Sequence, residues 1–360
     1  MRTKISGLVI FSAVLVAAIV YYANRQKEQM REDYLQQGKP VLVKLFEGKN
    51  DISFRGLASI HDSVVWVSGS NGVFGKSLNA GKNWVFGRIP RADSLDLRDI
   101  ELFDDKTAVV MNSGYPTRIF KTIDGGESWK TVYENNDSAM FLDGMDFCDC
   151  GKGLAFGDPI DGKFVLLRTD DEGNTWTWDS TNVPTAMKGE AGFAASGSSL
   201  LCFNCKNFLI GTGGTHSRTI YSASGYQWSD VTQPIEGGNT SQGIFSLASN
   251  DSVVIMVGGD YQSDTTLFPC GIWPGSTPGF SQGGLLPYQS CVVFANDSTL
   301  VSIGTPGGYV SKDFGTTWEQ FTTDAMHTLT PNESGTIVFT AGPKGRIGKI
   351  VFDLTKINED

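Results

Sequence analysis

One octapeptide recurs along this chain, and its spacing limits the fold more than any other feature. Ser77-Leu-Asn-Ala-Gly-Lys-Asn-Trp84 is followed by Thr122-Ile-Asp-Gly-Gly-Glu-Ser-Trp129, Thr169-Asp-Asp-Glu-Gly-Asn-Thr-Trp176 and Ser311-Lys-Asp-Phe-Gly-Thr-Thr-Trp318. A shortened copy, Ser222-Ala-Ser-Gly-Tyr-Gln-Trp228, lacks one residue and the carboxylate. Successive tryptophans lie 45, 47, 52 and then 90 residues apart. The last interval is two periods, so one copy has degenerated between Cys270 and Gln282. A period in the forties with strand-like flanks marks propeller blades, each a four-stranded sheet.

The pattern makes sense as a hairpin turn. The Asp or Asn accepts backbone N–H groups, the Gly supplies positive φ, and the Trp packs its ring between blades. Asn79, Asp124, Asp171 and Asp313, with Trp84, Trp129, Trp176, Trp228 and Trp318, therefore read as structural. Blade one runs from Ile52 to about Arg88, and the next five start at Leu97, Met140, Glu190, Gln242 and Tyr288. A seventh, near Ala325, offers three strands, and Val41 to Phe46 can supply the fourth. That pairing leaves no open sheet edge. The expected fold is all-β: a seven-bladed β-propeller over 41–360, closed by an N-terminal strand and preceded by one N-terminal hydrophobic helix.

Composition agrees. The 360 residues include 43 Gly, 22 Phe and 8 Trp but are only 19% charged, which suits short strands and tight turns rather than disorder. A net charge of −10 argues against nucleic acid as partner, because phosphate needs a basic surface. Behind Met1-Arg2-Thr3-Lys4, the run from Ile5 to Tyr22 carries no charge. As a helix it measures about 27 Å, enough for a hydrocarbon core. Residues 1–23 thus read as a signal-anchor, or a signal peptide if cleaved, and 24–40 as a polar stalk. The expected location is the inner membrane facing the periplasm, or secretion after cleavage, as a monomer.

In a propeller the a–b and c–d turns share one face, and the d–a and b–c loops share the other. The repeat turns are c–d turns, so function is expected at the opposite mouth. Inner-strand starts place Arg55, Arg98, Asp143, Glu190, Gln242, Tyr288 and His327 there, and b–c loops add Tyr115, Arg118, Asp158, Asp161, His216, Arg218, Asp260, Tyr261, Lys344 and Arg346. Arg55 and Arg98 on neighbouring blades suit a bidentate grip on a carboxylate or sugar acid. Asp143 and Glu190 suit an acid/base pair. Trp66 and Trp178 read as core, and Trp273 as exposed. The even number of cysteines, Cys148, Cys150, Cys202, Cys205, Cys270 and Cys291, favours disulfides in an exported chain. The spacing leaves their pairing open, with a four-thiolate zinc site as the minor alternative for the first four. No cofactor or metal motif is present otherwise.

The octapeptide resembles the Asp-box, or bacterial neuraminidase repeat. The phrases Ser53-Phe-Arg-Gly56, Leu97-Arg-Asp-Ile100, Gly157-Asp-Pro-Ile-Asp-Gly-Lys-Phe164 and Gly342-Pro-Lys-Gly-Arg346 resemble the photosystem II stability/assembly-factor-like propellers over about residues 41–353. That resemblance implies the fold and a non-catalytic role binding a protein, or a glycan-type polymer, and names no partner. The sialidases also carry the repeat. Their resemblance implies a glycoside hydrolase using Asp143, Glu190 and Tyr288. Gly87-Arg-Ile-Pro90, however, follows the first box, where an inner-strand arginine does not belong.

Overall fold

A computed structural model describes residue 25 and residues 39–48, 51–148, 150–204, 206–250, 252–275 and 279–352. The apolar run 5–22, nearly all of the stalk and Cys205 lie outside the described residues. Among the described residues no helix is long and apolar enough to cross a membrane.

Seven antiparallel sheets form a seven-bladed propeller. Blade one holds Phe54–Ile60, Val64–Gly69, Val73–Ser77 and Val85–Arg88 from axis to rim, and blades two, three and six repeat the order. In blade seven, Val41–Glu47 lies outermost, antiparallel to Arg346–Val351.

Burial grades outward along each blade. The second strands Val64–Gly69, Ala108–Asn112, Leu300–Gly304 and Ile337–Ala341 are buried at every position. Their Val, Ile and Phe suit a strand covered on both faces. The rim strand Val85–Arg88 is largely exposed. Trp178 belongs to such a rim strand, Thr177–Asp179, and is 39% exposed, which overturns its assignment to the core. Trp273 is only 9% exposed, wedged against Phe203, Tyr221 and Phe280, which overturns its assignment to the surface. Blade five kept the ring and lost only the turn sequence that normally accompanies it.

The core is a ring of wedges between blades. Trp66 and Phe74 of blade one pack with Ile100, Val110 and Phe120 of blade two. Val109 and Met111 pack with Met145, Val165 and Trp176 of blade three. Burying each large side chain contributes about 1.5–3 kcal/mol. The repeat turns stitch the wedges at their lower ends. Asp124 Oδ1 takes the Thr122 hydroxyl at 2.8 Å and the Ser128 N–H at 2.9 Å, while Gly126, at φ 83°, donates to Thr122 Oγ1 at 2.9 Å. Asn79, Asp171 and Asp313 build the same turn. Trp129 lies edge-on to Phe74 of the preceding blade at 5.2 Å. Lys121 crosses to the Glu172 carbonyl in the next blade's turn at 2.7 Å.

Blade four departs from this scheme. Its inner strand is Leu200–Phe203, not a strand starting at Glu190. Glu190–Ala191 pairs with Gly213–Gly214, which in turn meets blade five at Gly243. A disulfide joins Cys202 to Cys148 in the turn after blade three's inner strand, with Cα atoms 5.5 Å apart. It uses two of the four sulfurs that a zinc site would need. Cys270 and Cys291 are buried thiols.

Candidate functional site: a mouth closed by the chain itself

The delayed start of blade four frees residues 192–199, and they cross the central axis. Gly192 donates to Asp158 of blade three at 2.9 Å. The Ala194 carbonyl accepts Arg98 of blade two at 2.7 Å, and the Ala195 carbonyl accepts Arg55 of blade one at 3.2 Å. Ser196 donates to the Ser290 carbonyl of blade six at 2.8 Å, and Ser198 meets Ser246 of blade five at 2.7 Å. Gly197, at φ 80°, faces the Asp99 carboxylate. A glycine is required there, since a Cβ would come within 2.3 Å of that carboxylate.

Arg55 and Arg98 thus converge as neighbours, but on two successive carbonyls of the chain itself. Arg98 also pairs with Asp96 at 2.8 Å. Arg55 makes no ion pair among the described residues, and burial together with Arg98 lowers its proton affinity. His327 sits in the same field. Burial first, then Arg55, Arg98 and Arg346, pull its pKa down to about 3, so the ring is neutral.

The two proposed catalytic carboxylates have different partners. Asp143 is 1% exposed and its Oδ2 has no hydrogen-bond partner. Burial, then the charge of Asp158, push its pKa well up, against the opposing pull of Arg98. Glu190 is engaged on both oxygens by Arg218 at 2.9 Å, with Thr212 at 2.6 Å and the Met187 N–H at 2.8 Å. Glu190 is therefore a loop anchor, and the carboxyl nearest Asp143 in charge is that of Asp158. Tyr288 is buried edge-on to Phe245 at 4.8 Å, and burial raises its pKa, so it stays a neutral phenol.

The other expected residues shape the rim. Gln242 donates to the Glu236 carbonyl at 2.7 Å. Asp260 takes Ser241 at 2.6 Å, Asn239 at 3.0 Å and the Gln262 N–H at 2.9 Å. Lys344 occupies a positive-φ turn position. Arg346 donates to the carbonyls of Ala325 at 2.6 Å and Pro343 at 3.2 Å.

An aromatic group completes the mouth, and only its tyrosines figured among the expected residues. Phe193 stacks on Phe245 with centroids 4.0 Å apart, and Tyr261 meets both edge-on at 6.3 and 6.2 Å. The available signal was the run Gly192-Phe-Ala-Ala-Ser-Gly-Ser-Ser199. Without a β-branched residue it suits an inner strand poorly.

Below the crossing lies a cavity of about 270 Å³, lined by Asp99, Glu101 and Asp146 on one side and by Leu57, Leu247 and Leu329 among others. Asp99 accepts the Met145 N–H at 2.8 Å and the Ile100 N–H at 2.9 Å. Burial nevertheless pushes its pKa to about 8, with Asp146 adding to the effect. Burial and both aspartates raise Glu101 as well. A wider groove of about 600 Å³ lies at the seam of blades seven and one, lined by Phe46, Phe54 and Phe86.

No family model and no curated protein sequence matches the chain. Solved structures do match. YCF48 bound to D1 peptide superposes with a TM-score of 0.61 at 13% identity, covering 86% of this chain and 96% of that one. YCF48 from Cyanidioschyzon merolae gives 0.61 at 13% identity, covering 87% and 98%. The Pan2 WD40 domain of Neurospora crassa gives 0.59 at 13% identity, covering 83% and 88%. At these identities the likeness is one of fold: the chain is similar in architecture to the YCF48 propeller.

Proposed function

We propose that this chain is an exported, membrane-anchored propeller without catalytic function that binds a polypeptide segment across its mouth. The observation that carries this reading is the pair Arg55 and Arg98, which bind successive carbonyls directly after Phe193, itself stacked in the aromatic group of Phe245, Tyr261 and Tyr288. Guanidinium pairs hold carboxylates and carbonyls, and aromatic faces hold side chains, so together they suit an extended chain. The arginines already grip two successive peptide carbonyls of this protein. YCF48, similar in fold, has been described bound to a peptide. The hydrolase reading has less support, because Glu190 is fully engaged by Arg218 and Thr212.

The Cys148–Cys202 disulfide supports export, since such bonds persist in oxidising compartments. We further read Val41–Glu47 as the strand that closes the ring. Val41 pairs with Val351 and Glu47 with Arg346, which follows a mouth loop. Val41 therefore stands at the face opposite the mouth, and an anchor extending from that face would turn the mouth away from the membrane.

The test is selection from a displayed library of linear peptides, followed by fluorescence polarisation with the selected peptides. Convergent sequences should emerge, bind at least tenfold more weakly to Arg98→Gln and Tyr261→Ala, and chromogenic glycosides should not turn over. Failure to select any sequence, or selected peptides indifferent to both substitutions, would sink the assignment.

A further inference from the structure

Nearly every buried backbone N–H in a folded protein is paired. Residues 193–199 find no such partner within the described protein. Among the described residues, none of the N–H groups from Phe193 to Ser199 donates a hydrogen bond, and Gly192 alone donates, to Asp158. Yet Ala194, Ala195, Ser196 and Ser199 are at most 7% exposed. The surroundings are underpaired too: Asp143 Oδ2, Gln289 Oε1 and Ser199 Oγ have no partner.

The segment is held by the bonds its carbonyls accept, by the Ser196 and Ser198 hydroxyls, by the Gly192 N–H and by stacking. Arg98 and Arg55 reach its carbonyls, the Leu247 N–H donates to Ser198 at 2.9 Å, and Phe193 lies on Phe245. No ladder runs along 192–198; only Ser199 extends the ladder of Leu200–Phe203, its carbonyl accepting the Gly211 N–H at 2.8 Å. Residues 192–198 can leave the axis without breaking a strand pair, swinging at Gly192 and Gly197. Beneath it is the cavity of about 270 Å³.

We infer that residues 192–199 are a gate across the central channel, displaced when a partner's extended chain brings its own carbonyls to Arg98 and Arg55. The ligand half of this inference rests on the peptide-binding reading of the mouth; the gate itself does not. In the closed state the segment stands in for the ligand. Phe193 fills the aromatic position and Ala194 and Ala195 supply the carbonyls. The incoming segment is therefore extended, with an aromatic residue followed by small ones. Once open, the mouth is continuous with the carboxylate-lined cavity.

The test uses the full chain. Ser198 Oγ is 3.8 Å from Cys291 Sγ of blade six, so Ser198→Cys allows an oxidised lock, and the same variant with Cys291→Ser is the unlocked control. Hydrogen–deuterium exchange is followed by mass spectrometry. In the wild type and the control, amides 193–199 should exchange at least tenfold faster than those of the neighbouring strand Asn207–Gly211. In the locked form they should slow to that strand's rate. Wild-type exchange as slow as the strand, or exchange indifferent to the lock, overturns the gate. A labelled acetyl-Gly-Phe-Ala-Ala-Ser-Gly peptide then tests the ligand half by polarisation. It should bind the unlocked control and bind the locked form at least tenfold more weakly. Equal binding to both, or none to the control, overturns the pseudo-ligand while leaving the exchange result standing.

Discussion

Blades two and four start from similar demands and end differently. In blade two the inner strand Leu97–Leu102 begins at the mouth, and its Arg98 projects there. In blade four the chain reaches the mouth at Glu190, crosses the axis, and starts its inner strand only at Leu200. Blade two is bound by apolar wedges and a turn that satisfies its own polar groups. The crossing of blade four is bound by arginines and serine hydroxyls, and the N–H groups of 193–199 find no partner among the described residues. Where an inner strand starts at the mouth the blade is a plain wall of the ring, and where it starts late, as in blade four, the chain itself fills the mouth.

The largest expected effect lies on the scaffold side. Trp66→Ala removes a fully buried ring between blades one and two and should cost about 3–5 kcal/mol in urea unfolding. A loss below about 1 kcal/mol would mean that the wedges are not the principal support. Next comes the joint between the two regions. Replacing Cys148 and Cys202 together by Ser should cost about 2–4 kcal/mol, read the same way, because the bond closes a long loop. An unchanged midpoint would show that blade four's inner strand holds without it.

Two glycines sharpen the contrast further. Gly162→Ala meets nothing within 4 Å and suffers only its positive φ of 76°, whereas Gly197→Ala, at φ 80°, also drives a methyl into the Asp99 carboxylate. The first should cost about 1 kcal/mol and the second about 2–3 kcal/mol, by thermal melting. Equal costs would place Gly197 away from Asp99.

The smallest effect is a pH dependence. Asp99, raised to about 8 by burial, carries more protons folded than unfolded between its unfolded value, about 4, and that point. Its contribution is complete below the unfolded pKa and is lost as pH rises through the folded one. Melting temperature should fall from pH 5 to pH 8, and Asp99→Asn should make that fall shallower, with Glu101 and Asp143, also raised by burial, accounting for the rest. A rise over that interval would contradict the burial of this carboxyl.

Much of the ring was legible because its information is local. A turn of eight residues repeats its own hydrogen bonds, as Thr122, Asp124 and Ser128 do within one loop. Strands with Val, Ile and Phe at both parities mark the blade interiors. The site was legible only as a list of residues facing one way. Arg55 and Arg98 were placed at the mouth, but the carbonyls they hold lie 140 and 96 residues further along the chain. Glu190-Ala-Gly-Phe looked like a strand start by position alone. The small residues that follow, which allow the crossing, carry no periodic signal. Trp178 and Trp273 were assigned in reverse for the same reason: burial in a blade depends on the distance from the axis and on the neighbouring blade, and neither is written nearby.

The central claim is that the chain's own residues 192–199 cross the axis, and cross-linking the Ser198→Cys variant to Cys291 tests it most directly. Blades four and six are not neighbours in the ring, so a regular inner strand in blade four would keep the two positions apart. Mild oxidation of the folded variant should join the introduced thiol to Cys291 in high yield, seen as a linked peptide pair that alkylation does not label. If the thiol introduced at position 198 stays freely alkylatable while Cys291 remains buried and unlinked, the segment does not cross the axis and the closed mouth described here is wrong.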